Sequence, residues 1–163
     1  MTPDPQRCTL ETLDGFKHSC DQLLDQARRS VRILAPHFDL ALLSRKPVAD
    51  AIAQLSRTGR FAETRILFAD SMLAMKHGHR LVELSRRLPS SIKLKQLPID
   101  ARNQQEAWII ADNTALIWRP HHERYADGVW DQRNTEKTPQ LCRQFDEWWE
   151  LAQPDPELRR LYL

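Results

Sequence analysis

Glycine is scarce, with four residues in a chain of 163: Gly15, Gly59, Gly78 and Gly128. No glycine-rich loop of the kind that cradles nucleotide phosphates can be built from them, which argues against a classical nucleotide-binding enzyme. Cysteine is equally sparse. Cys8, Cys20 and Cys142 are odd in number and never spaced Cys-x-x-Cys, so neither a disulfide framework nor a zinc knuckle is expected. They read as small buried or half-buried hydrophobes. No apolar run approaches the ~18–20 residues of a membrane span, and Met1 to Thr9 lacks the apolar stretch of a secretion signal. A soluble cytoplasmic protein with no membrane partner is the expectation.

What remains is an ordinary globular composition, 41% hydrophobic and 28% charged, long enough to bury one normal core. A single domain over 1–163 is expected, with 1–10 and 154–163 as terminal extensions. The formal charge of +2 says little about partners, but its distribution is uneven. Lys76, Arg80, Arg86, Arg87, Lys93 and Lys95 fall in one stretch against Glu83 alone, while the chain from His121 onward leans acidic. Such a basic stretch suits a phosphate-bearing ligand or nucleic acid, and it equally suits a solvated face.

Apolar periodicity sets out the elements. Phe16, Cys20, Leu23, Leu24 and Ala27 recur at helical spacing over 13–27. Val31, Ile33 and Leu34 form a short strand stopped by Pro36. Pro47 opens a second helix carrying Val48, Ala51, Ile52 and Leu55, which Gly59 ends. Thr64 to Ala69 is the next strand, followed by a helix from Lys76 with Leu81, Leu84 and Leu88, stopped by Pro89. Ile92, Leu94 and Leu97 alternate with Lys93 and Lys95, the period of a half-buried strand with its lysines in water. Ala107 to Ala111 and Thr114 to Trp118 flank Asp112-Asn113, a pair suited to a tight hairpin turn. Thr138-Pro139 starts a last helix presenting Leu141, Phe145, Trp148 and Ala152.

The expected fold is therefore α/β, a mixed, largely parallel sheet flanked by helices, closed by a C-terminal β-hairpin and helix. Ligands of such sheets sit beyond the carboxyl ends of the parallel strands, which places His37, Asp39, Asp70, Ser71 and Lys76 to His79 on one edge. Gln105, Arg119, His121 and His122 return to it, and the Asp112 turn falls on the opposite one. Adjacent residues of an extended chain point apart, so only one of His121 and His122 should face a ligand. The densest polar cluster is Lys76-His77-Gly78-His79-Arg80. Three readings of it stand side by side: an anion site, histidines spent on loop carbonyls beside solvated cations, and a metal site of His77 and His79 with Asp70 or His37. No strong metal spacing or cofactor signature is present. Trp148 and Trp149 follow Phe145 at helical spacing and read as core in preference to a stacking platform.

The element order resembles one half of the phospholipase D-like fold. The runs Ile33-Leu34-Ala35-Pro36-His37-Phe38-Asp39, Lys76-His77-Gly78-His79-Arg80-Leu81 and Phe145-Asp146-Glu147-Trp148-Trp149 resemble an uncharacterised bacterial domain often carried at the C-terminus of GNAT-type acetyltransferases. Active phospholipase D-like enzymes carry His-x-Lys-x-x-x-x-Asp. Aligned on Asp112, this chain has Gln105 for the nucleophilic histidine and Ala107 for the phosphate-binding lysine; a glutamine amide cannot form a phosphohistidine. The resemblance thus implies a catalytically degenerate domain with no catalytic residue of that type. Its expected ligand set is Lys76, His77, His79, Arg80, Gln105 and Arg119. A homodimer is implied as well, since relatives pair edge to edge. The rival expectations are an interaction module docking on an acetyltransferase, and a phosphodiesterase with a replaced nucleophile drawn from His77 or His79, with His37 or His122 as acid.

Overall fold

A computed structural model describes residues 7–155 and 158. Its core is one seven-stranded sheet in the order β1-β7-β6-β5-β2-β3-β4. The strands are β1 (Arg7–Leu10), β2 (Ser30–Leu34), β3 (Glu63–Phe68), β4 (Ile92–Gln96), β5 (Ala107–Ala111), β6 (Ala115–Arg119) and β7 (Gly128–Asp131). Helices are α1 (Leu13–Gln26), α2 (Leu40–Leu43), α3 (Lys46–Ser56), α4 (Met72–His77), α5 (Arg80–Arg87) and α6 (Thr138–Leu151). Among the described residues no helix is long and apolar enough to cross a membrane.

The mixed α/β sheet flanked by helices is as the sequence implies, with one adjustment of balance. Parallel pairing is confined to β2–β3 and β3–β4, whereas β2–β5, β5–β6, β6–β7 and β7–β1 are antiparallel. The shift comes from β1 and β7, which the sequence pattern did not reveal. Each is four residues long, and they pair with each other. Arg7–Leu10 therefore belongs to the sheet instead of a terminal extension; the rest of 1–10 lies outside the described residues. At the other end, Asp155 and Leu158 are buried.

Strand alternation builds two cores. Val31, Ile33, Ile66, Phe68, Ile109 and Ile117 face a layer made by α1, α3 and α5, including Phe16, Leu23, Ile52 and Leu81. Leu34, Leu67, Trp108, Ile110 and Leu116 face α6 through Phe145 and Trp149. Trp108 and Trp149 are thus core residues, so the hairpin offers neither a bare tryptophan face nor a free edge; the sheet's edges are β1 and β4. Lys95 does not simply stand in water: its ammonium lies 4.6 Å from the Trp149 ring and donates to the Trp149 carbonyl at 3.2 Å.

Local chemistry accounts for the ends of the elements. The Thr12 hydroxyl accepts from the Gly15 N–H at 3.0 Å and caps α1. The single helix expected from Lys76 is split in two at Gly78, whose φ of 75° lies where residues with side chains rarely go. Asp112 and Asn113 adopt φ of 52° and 64°, as a tight hairpin turn between twisted strands requires. At α6 the cap comes from Asn134, whose side-chain oxygen accepts from the N–H groups of Lys137 and Thr138 at 2.7 and 3.2 Å.

Gly128 shows why β7 begins where it does. A Cβ added there would stand 2.3 Å from Phe16 Cζ and 2.7 Å from Cε1, and Phe16 is fully buried. The bare backbone lets α1 press its aromatic ring against the sheet. Gly128→Ala is expected to destabilise the fold by about 1–3 kcal/mol, the usual cost of overpacking a core. Urea unfolding measures it, and pairing the change with Phe16→Leu should recover part of the loss.

Candidate functional site

The carboxyl end of β2 runs into Ala35, Pro36 and His37, and then into two residues with left-handed backbone, Phe38 at φ 68° and Asp39 at φ 44°. Consecutive non-glycine residues in this region are strained and persist only when surrounding contacts fix them. Here those contacts come from the end of β6. Arg119 Nη2 donates to Asp39 Oδ2 at 2.7 Å, and the two side chains are 3% and 7% exposed. Tyr125 donates its hydroxyl proton to Asp39 Oδ1. Arg119 also donates to the carbonyl of His122 at 2.7 Å, and its guanidinium lies 4.7 Å from the Tyr125 ring and 5.5 Å from Phe16.

Above this buried pair opens a cavity of about 320 Å³ lined by His37, Asp39, Leu73, Ala107, Arg119, His122, Glu123 and Tyr125, among others. The imidazoles of His37 and His122 meet there edge to face, with ring centroids 4.6 Å apart and planes at 73°. His122 is fixed through its backbone, its N–H donating to the Gln105 carbonyl at 2.7 Å. Burial, followed by the neighbouring His37, pushes His122 below the usual histidine range. Burial and the adjoining Asp39 charge push the Tyr125 phenol up, which keeps it a proton donor to Asp39.

Of the residues expected to bind ligand, only Arg119 lines the cavity, and its charge is already neutralised by Asp39. His79 leaves the ligand set. It is 3% exposed; its Nε2 lies 2.8 Å from the Phe38 carbonyl, and its Nδ1 accepts from the Leu81 N–H at 3.1 Å as the cap of α5. Both ring nitrogens are spent on the fold, so no metal set of His77 with His79 is assembled. Lys76, His77 and Arg80 are exposed. Lys76 and His77 lie one turn along α4 from Leu73, on the rim side of the cavity. Gln105 is exposed and its amide donates to the Asn103 carbonyl at 3.3 Å. His121 is exposed while His122 faces the cavity, so one of the adjacent pair reaches the site.

Asp112 lies at the opposite edge. Its carboxylate accepts from the backbone N–H groups of Arg28, Arg29 and Ser30 at 2.9, 2.7 and 3.1 Å, clamping the hairpin turn onto the start of β2. The one surviving residue of the expected motif is therefore a structural clamp.

A family model described as a domain of unknown function, DUF7931, matches residues 12–161. The chain belongs to the DUF7931 family. No curated protein matches it by sequence. Solved structures resemble this DUF7931 domain at low identity, which shows the fold alone. NucT from Helicobacter pylori matches at a TM-score of 0.58 and 16% identity over 88% of this chain and 92% of NucT. Phosphatidylserine synthase from Haemophilus influenzae Rd KW20 matches at 0.56 and 10% identity over 87% of this chain and 37% of the synthase. TrmBL2, described as an archaeal chromatin protein with a novel mode of DNA binding, matches at 0.66 and 14% identity over 95% of this chain. The chain spans 56% of TrmBL2's length. The seven-stranded mixed sheet of the DUF7931 domain thus has the architecture of phospholipase D-like proteins.

His79 gives this fold a pH dependence of known sign. Burial lowers its affinity for protons below the ordinary value of 6.5, outweighing the Phe38 carbonyl and the Asp39 charge, which pull the other way. The folded state holds the ring neutral and the unfolded chain takes up the proton first, so the stabilisation is present above about pH 6.5 and is lost on acidification through the lower folded value. Unfolding free energy measured by urea is expected to fall on acidification from neutral pH. His79→Asn, which keeps a cap acceptor without a titrating ring, should flatten part of that fall.

Proposed function

We propose that this DUF7931 domain is a degenerate phospholipase D-like binding module that takes a phosphate-bearing ligand in the His37–His122 cavity. The observation that carries the reading is the paired imidazoles, whose ring centroids lie 4.6 Å apart in the cavity at the carboxyl edge of β2, while the resemblance puts Gln105 and Ala107 at the positions of the superfamily's nucleophile and lysine. Ala107 contributes no charge but leaves room, and Leu73 closes one side. Lys76, His77 and Arg124 are exposed near the rim or beside His122 and supply long-range attraction for an anion. TrmBL2, described as a chromatin protein with a novel mode of DNA binding, makes a nucleic-acid backbone one natural source of the phosphate.

The test is a titration with phenylphosphonate, a non-hydrolysable phosphate analogue, followed through the ring-proton resonances of the histidines. It is run on chelator-treated and on zinc-supplemented protein. The expected result is saturable movement of the His37 and His122 signals in at least one of the two samples, little change in Arg80→Ala, and loss in His122→Ala. No response of either ring at millimolar ligand in both samples contradicts the reading.

The same imidazole pair supports a second reading, a phosphodiesterase in which His122 replaces the missing nucleophile. Nitrophenol release from bis(p-nitrophenyl) phosphate that disappears in His122→Ala would favour it over binding alone.

A further inference from the structure

The cavity contains an electrostatic mismatch. Arg119 is the cation among its lining residues, and Asp39 neutralises it at 2.7 Å; Glu123 adds a negative charge at the mouth. Two imidazoles and a carboxylate with no unspent cation between them are a poor receptor for an anion by themselves and a good one for a borderline-soft metal ion.

We propose that His37, His122 and Glu123 form a binding site for one divalent transition-metal ion of the zinc class. Each offers a ligand atom, and the three atoms lie within 4.8 Å of one another. Zinc holds imidazole nitrogen and carboxylate oxygen at about 2.0–2.2 Å, so ligand atoms around a tetrahedral ion stand about 3.4 Å apart. Glu123 is exposed, so its side chain has room to rotate toward the two rings. Two histidines and one carboxylate are also the donor set of zinc sites that keep a position open for water or ligand.

The supports of the two imidazoles fit this use. His37 sits on the strained turn whose next two residues have φ of 68° and 44°, and His122 is held from both sides of its peptide by Gln105 and Arg119. Ligands carried on backbone fixed before the ion arrives lose little freedom on binding it. The cavity of about 320 Å³ leaves space beside the ion for a phosphate oxygen. The inference deepens the proposed function by naming what supplies the positive charge; ion binding is nonetheless measured without any phosphate.

The experiment uses tag-free full chain stripped with chelator. Zinc binding is followed by calorimetry, and cobalt(II) substitution by visible absorption. One ion per chain is expected, with cobalt bands of the intensity typical of four or five ligands. His37→Ala and Glu123→Gln should each weaken zinc binding by more than about tenfold, the scale seen for disturbed metal shells, while Arg80→Ala leaves it unchanged. The exposed Glu123 change keeps the test valid should a histidine variant unfold. Absence of zinc binding at submillimolar metal overturns the inference, as does binding that survives both His37→Ala and Glu123→Gln. Phenylphosphonate is then added with and without zinc. Phosphonate binding without any zinc binding removes the metal site but keeps the proposed function, and zinc binding without phosphonate binding does the reverse.

Discussion

A buried ion pair organises the edge of this domain at which the cavity opens. Arg119 and Asp39, 2.7 Å apart and almost wholly out of water, join the end of β6 to the turn after β2, eighty residues away in sequence. Neither charge could be buried alone, and removing one partner of such a pair typically costs about 3–5 kcal/mol. Further hydrogen bonds support the pair. Tyr125 donates to Asp39, and the carbonyls of His121 and His122 accept from Arg119. This lock holds the left-handed backbone of Phe38 and Asp39 in place, and it brings His37 and His122 to face each other across the cavity.

Carboxylate anchoring recurs at the far edge of the sheet. The motif carboxylate, Asp112, binds three backbone N–H groups at the far edge, a role that depends on the hairpin and on no substrate. Ala107 lines the cavity without adding charge, and Gln105 is exposed with its amide on the Asn103 carbonyl. The imidazoles available at the edge instead arrive from the β2 turn and the end of β6.

Much of the framework was legible from residue patterns because those patterns are local. Pro47 and Thr138-Pro139 mark helix starts, Asp112-Asn113 marks the turn, and the apolar runs of 107–111 and 114–118 mark strands buried on both faces. β1 and β7 escaped notice because four residues carry too little periodicity; their strand character comes from pairing with each other. The site was legible only to the level of the edge. Topology brings His37, Asp39, Arg119 and His122 to it, but the pairing of Arg119 with Asp39 depends on packing between distant segments. The density of polar residues from Lys76 to Arg80 misdirected the ligand assignment, since sequence does not show that both nitrogens of His79 are consumed by Phe38 and Leu81.

The claim that one ion pair builds the site is tested most directly by the nuclear Overhauser effect between the ring protons of His37 and His122, compared in wild type and Asp39→Asn. The asparagine keeps the size and a hydrogen-bond acceptor but removes the charge that anchors Arg119. A strong ring-to-ring effect in the wild type that fades in the folded Asp39→Asn protein is the predicted result. An effect equally strong in both would show that the two imidazoles are held together by something other than the Arg119–Asp39 lock.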